Sequence, residues 1–140
     1  MRYAPAVDIL LPAIVYLGTH DTYWARSPSS LAKELSLDEG LLRAKLEGFP
    51  SLFRKSARLS PGGQPYYALQ ARYANREGLD IDDPDEIHWI KPVCEDRLKT
   101  IVSFVTGMAE AERAGHRSWI AVVAAIVAAI AAITSALVRV

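Results

Sequence analysis

The sequence predicts a mainly α chain that carries one small β-hairpin and closes on a long apolar helix. Three observations predict it. Apolar residues recur at helical spacing in three short stretches before Pro50, two alternating stretches flank the turn-forming run Ser60-Pro61-Gly62-Gly63-Gln64-Pro65, and the 20 residues from Trp119 to Val138 hold no charge. The chain has 140 residues, 16 basic against 16 acidic side chains and one cysteine. A lone Cys94 excludes an intrachain disulfide or a multi-cysteine zinc site and suits a reducing compartment. Zero net charge conceals an uneven distribution: residues 1–76 carry ten basic and six acidic groups, whereas residues 77–96 carry one and eight.

The first helix is expected from Ala6 to about Leu17, with Gly18 placed to stop it. The apolar run Val7 to Leu17 is interrupted by Asp8 and Pro12 and is too short to span a bilayer, so it reads as a core helix. Ser27 before Pro28 is an N-cap followed by proline at the first helical position, and Leu31, Ala32 and Leu35 continue at helical spacing to about Leu35. Asp38 caps a third helix with the stripe Leu41, Leu42 and Leu46, ended by Gly48 and Pro50. Beyond it, Phe53, Ala57 and Leu59 share one parity, and Tyr67, Leu69, Ala71 and Tyr73 resume the alternation after the turn.

This order, carried by the run SSLAKELSLDEGLLRAKLEGFPSLFRKSARLSPGGQPYYALQARYA, resembles a winged helix-turn-helix domain over roughly residues 6–74. The resemblance implies nucleic-acid binding, with the third helix in the major groove and the hairpin wing on the backbone. The outward parity of the hairpin is expected to present Arg54, Arg58, Gln70 and Arg72, with Lys55 nearby, to phosphate or another anionic partner; Arg43 and Lys45 are the basic candidates on the helix. Against this, that helix begins Asp38-Glu39 and carries Glu47, and acids at the end that approaches base edges repel phosphate. Winged helices also dock proteins, so an ordinary solvated face, a DNA interface and a protein-docking surface all remain open.

Residues 77–90 read as an acidic linker, since the run NREGLDIDDPDE between Asn75 and Glu86 lacks periodicity, and Pro84 argues against a calcium loop. A membrane-proximal amphipathic helix is expected over residues 91–117. Its seam of Cys94, Leu98, Ile101, Val105 and Met108 would pack on the N-terminal domain or on a second copy of the chain. Residues 118–140 read as a single transmembrane anchor. At 1.5 Å per residue the uncharged stretch covers about 30 Å, and its nine Ile, Val and Leu residues contribute roughly −4 kcal/mol to insertion. Ala124, Ala128 and Ala132 recur every fourth residue, which would let two such helices approach closely.

No catalytic grouping is visible. His20, His88 and His116 are scattered, and no nucleophile-base pair, metal-ligand spacing or phosphate-cradling loop stands out, so neither metal nor cofactor is expected. The sequence therefore suggests a non-enzymatic, membrane-tethered winged-helix adaptor, its N-terminal domain in the cytoplasm and recognising a cytosolic protein. Alternatives are a membrane-anchored DNA-binding regulator and an oligomerising membrane effector of a bacterial defence or toxin system. The expected partners are the bilayer, a second copy of the chain, a cytosolic protein and, in the first alternative, DNA.

Overall fold

Ser27 and Asp38 set the frame of the N-terminal half. In the computed structural model, which describes residues 2–74 and 90–115, the Ser27 hydroxyl accepts from the Ser30 N–H and opens α2 (Pro28–Leu35). The Asp38 carboxylate accepts from the Leu41 N–H at 2.8 Å and opens α3 (Glu39–Gly48). Leu31 and Ala32 of α2 and Leu42 and Leu46 of α3 bury their apolar stripes against α1 (Val7–Thr19), which contributes Leu10, Ile14 and Leu17.

Gly18 lies inside α1 rather than beyond its end, and the helix continues to Thr19. A Cβ at Gly18 would meet Leu98 Cδ1 at 3.1 Å and Leu69 Cδ2 at 3.3 Å, so this glycine is a point of close approach. Its carbonyl accepts from the Val93 N–H at 2.9 Å, which fastens the segment after residue 90 to the end of α1.

The expected two-stranded hairpin proves to be part of a three-stranded antiparallel sheet, ordered β1-β3-β2, formed by Ala25–Arg26, Phe53–Leu59 (β2) and Pro65–Leu69 (β3). Strand β1, Ala25–Arg26, pairs Ala25 with Ala68 and Arg26 with Tyr67. Two residues leave no alternation to read, which is why the sequence conceals this strand. At the turn Gly63 takes φ +72°, a left-handed conformation that glycine adopts without cost. The pairing then shifts between Lys55 and Leu59, an irregularity that bends the outer part of β2. Gln64 ties this turn down: its side chain donates to Glu39 at 2.7 Å and accepts from the Ser29 N–H at 3.2 Å.

Strand β3 does not run on to Tyr73. The chain turns at Gln70 into the short helix α4 (Gln70–Tyr73), whose Arg72 is fully buried. A fifth helix, α5, covers residues 95–115 and lays Val105 and Ala109 into the same core, with Leu98, Ile101 and Val102 packed at its margin. Glu112 of α5 accepts from the Ala4 N–H at 2.9 Å, holding the start of the chain against it.

Two expectations are corrected here. The fold is a small α+β arrangement of helices around a three-stranded sheet, not a mainly α winged helix-turn-helix domain with a hairpin wing and a membrane anchor. The single-pass membrane localisation is likewise not supported, because among the described residues no helix is long and apolar enough to cross a membrane. The stretch Trp119–Val138, with Ala124, Ala128 and Ala132, lies outside the described residues, as does most of the acidic segment 77–90.

Candidate functional site

A groove of about 550 Å³ opens where the end of α3 meets the sheet. Leu46, Pro50 and Phe53 supply its apolar wall, and Glu47, Arg54, Lys55, Tyr67 and Gln70 supply the polar groups around it. Leu46 is placed by the apolar stripe of α3, Phe53 by the first buried position of β2, and Tyr67 by the central strand β3.

The polar groups are connected. The buried Tyr67 donates its hydroxyl proton to Glu47 Oε1 at 3.1 Å, and Lys55 Nζ donates to the same oxygen at 3.2 Å. Lys55 stands directly across from Tyr67 in the sheet, so the register itself delivers both donors to the helix carboxylate. The hydrogen bonds from Lys55 and then Tyr67 hold the Glu47 carboxyl below its ordinary value. The bond to Glu47 raises Lys55, and burial, followed by the same bond, raises Tyr67. Each shift moves its group further from neutrality, the opposite of what general acid-base chemistry near pH 7 requires.

Arg54 reaches the margin of the groove from the opposite face of β2, with its guanidinium 3.9 Å from the centre of the Tyr73 ring. Among the described residues no carboxylate pairs with it. The stack fixes its position and leaves its charge uncompensated. Arg58, within the irregular part of β2, is exposed.

Arg72, expected on the outer face with Arg54 and Arg58, is instead an interior clamp. Its guanidinium donates to the carbonyls of Leu17, His20, Asp21 and Ile90, approaching His20 most closely at 2.5 Å and Ile90 at 2.8 Å. Burial pulls Arg72 below its usual value, opposed by the Asp21 carboxylate. The alternating pattern placed it outside because nothing in that pattern marks the bend at Gln70. The remaining candidates are dispersed. Arg43 forms an ion pair with Glu39 at 3.0 Å, Lys45 lies in the last turn of α3, and Gln70 is exposed at the groove. Cys94 and Met108 are exposed, whereas Leu98, Ile101 and Val105 face the chain's own core.

Sequence reasoning missed the part played by Glu47 and Tyr67. In the sequence Glu47 reads as a charge opposing Arg43 and Lys45, and Tyr67 as one position in an alternation. The hairpin register was the available signal, since counting outward from the turn brings Lys55 opposite Tyr67 once the irregularity is allowed for.

A second surface cluster lies at the opposite edge of the sheet. Tyr16, His20 and Tyr23 stack in sequence at 5.0 and 5.1 Å, and Arg26 covers Tyr23 at 3.8 Å while pairing with Glu34 at 3.4 Å. His20 Nδ1 accepts from the Tyr23 N–H, so the stack is closed on itself. Among the described residues no group of three or more His, Cys, Asp or Glu is arranged to hold a metal ion. No protein family, curated protein or solved structure matches the chain.

Proposed function

We propose that the chain is a non-catalytic docking module that recognises a protein partner at the groove between α3 and β2. The observation that carries this reading is the joining of an apolar wall, Leu46, Pro50 and Phe53, to a rim whose charges are largely balanced, with Lys55 and Tyr67 committed to Glu47. Protein interfaces combine an apolar centre with a polar rim in this way. A nucleic-acid surface is instead dominated by cations available to phosphate, and of the expected seven contacts Arg72 is buried while Arg43 and Lys55 face carboxylates. Exposed ion pairs of that kind are weak and can be broken, so DNA binding is the competing outcome to be measured.

The test is a mobility-shift titration of the full chain with a pool of DNA fragments at low salt, repeated with Arg54, Lys55 and Arg58 all changed to Ala. A docking module gives no sequence-independent shift and no difference between the two proteins. A shift that weakens steeply with salt, and whose salt slope falls by up to about 0.9 per lost contact in the triple variant, would overturn the reading. In parallel, a photo-crosslinking residue at Gln70 should yield a discrete protein adduct in the native host extract that the same residue at Lys99, away from the groove, does not.

A further inference from the structure

The outer side of β2 offers more than side chains. The Gln70 N–H donates to the Leu52 carbonyl at 2.8 Å, which identifies Leu52 and Gln70 as a hydrogen-bonded pair and, by strict alternation, makes Lys55 and Tyr67 a non-hydrogen-bonded one. The N–H and C=O of Lys55 therefore point away from β3, toward the edge of the sheet. No described strand occupies that edge, since β2 is terminal in the order β1-β3-β2. The residues flanking it, Arg54, Lys55, Ala57, Arg58 and Leu59, are all exposed.

The two faces of this edge differ in chemistry. One face carries Arg54, in the same row as Ala68 and Ala25, stacked on Tyr73 and without a carboxylate partner among the described residues. The other carries Phe53 and Lys55 and opens into the groove walled by Leu46 and Pro50. A second copy of β2 is a poor occupant, because antiparallel self-pairing crowds the basic residues of both copies together, with Arg54 facing Arg58 when centred on Ser56 and Lys55 facing its own equivalent when centred one residue earlier, and like charges across a pair are destabilising. An added strand turns successive side chains to opposite faces.

We infer that the edge of β2 accepts an extended segment of a partner protein in which acidic residues alternate with apolar ones, the acidic side chains meeting Arg54 and the apolar ones entering the groove beside Phe53. This rests on the docking reading and gives it a partner chemistry. The backbone of the segment pairs with Lys55, supplying affinity that does not depend on sequence, while the alternation supplies the selectivity. Arg58 extends the positive charge along the strand, and the irregularity between Lys55 and Leu59 limits how far a partner can pair.

The experiment titrates the full chain into a fluorescein-labelled alternating Glu-Val octapeptide and follows anisotropy at low salt. Three further probes run beside it: the Lys-Val counterpart, the Glu-Val peptide N-methylated at alternate residues, and a short DNA duplex. The expected result is that only the unmodified Glu-Val peptide binds. Arg54→Glu should weaken it about tenfold, as expected for loss and reversal of partly exposed charge contacts. Backbone amide shifts should concentrate at residues 53–59 and 70. Should Arg54→Glu fail to fold by circular dichroism, the exposed Arg58→Glu gives the same test with an expected loss of about threefold.

Equal binding of the N-methylated peptide would overturn strand addition, and binding of the Lys-Val peptide would overturn the charge argument. Failure of every probe, DNA included, would remove the edge assignment and leave the docking reading standing. DNA binding that is abolished by Arg54→Glu would remove both.

Discussion

Two sides of one end of the sheet treat an arginine in opposite ways. Near α4, Arg72 is fully buried and spends its guanidinium on the carbonyls of Leu17, His20, Asp21 and Ile90. At β2, Arg54 lies over the Tyr73 ring and has no carboxylate partner among the described residues. Arg72 sits among backbone carbonyls and holds the fold together, whereas Arg54 sits on an aromatic ring and is held in place by it. The difference is what each is bonded to. Five donors satisfied by carbonyls leave Arg72 no capacity for a ligand, whereas stacking uses the face of Arg54 and leaves its donor edge available.

The largest effect should come from the interior clamp. Arg72→Ala would leave the carbonyls of Leu17, Asp21 and Ile90 without this donor and open a cavity beside them, and we expect a loss of about 3 kcal/mol in urea unfolding. Arg72→Lys keeps the charge with fewer donors in a different geometry and should recover less than half of that. Arg54→Ala should leave the urea midpoint nearly unchanged. If the two substitutions proved equally costly, the division between clamp and exposed edge would be wrong.

Next comes the close approach at Gly18, which sharpens the same comparison because it lies where α1, β3 and α5 converge, beside the clamp. Gly18→Val would drive methyl groups into Leu98 and Leu69, which already stand 3.1 and 3.3 Å from the site of a Cβ. The expected cost is about 2 kcal/mol. A matching substitution at Gly48, where nothing lies within 4 Å, should be far milder.

What could be read in advance follows the range of the interaction. Ser27, Pro28 and Asp38 announce their helices because a cap acts over three residues, and they do cap α2 and α3. Strand β1 could not be read, because its two residues are held by Ala68 and Tyr67, some forty positions away in sequence. The bend at Gln70 is equally long-range in origin: Arg72 finds carbonyls from α1 and from Ile90, and that reward turns a strand-like pattern into a helix. At the candidate site, Arg54, Lys55 and Gln70 were legible as polar residues on a hairpin. Their division into a balanced groove and an uncompensated outer face was not, since it depends on where Glu47 and Tyr73 stand.

The caps themselves give a smaller, local effect. Ser27→Ala and Asp38→Ala should each cost about 1 kcal/mol, measured by the same unfolding titration. Ser27 also shares a hydroxyl hydrogen bond with Ser29, whose N–H Gln64 accepts from, so its loss should raise amide exchange at residues 60–64, whereas Gly48→Ala should not.

The smallest effect is expected at the groove, and it is best seen as a change in pH dependence. Glu47 is held below its ordinary value of 4.5 by Lys55 and Tyr67, so its contribution is present above 4.5 and is lost as pH falls through the lowered value. Glu112, held low by the Ala4 backbone, loses its contribution over the same acid range. At the other extreme, Lys55 is raised from 10.5 and Tyr67 from 10.0, so the folded state keeps both protons where the unfolded chain releases them. Their contribution is present below those ordinary values and declines as pH rises past them. Glu47→Gln should therefore flatten part of the acid limb, leaving the share of Glu112, and should also reduce the alkaline decline, because Lys55 then loses its main cause of elevation and Tyr67 keeps only burial. Arg54→Gln should alter neither limb. Urea midpoints measured on both sides of neutrality check this, and an Arg54→Gln profile that followed Glu47→Gln would mean that the outer face and the groove form one charge network rather than two surfaces.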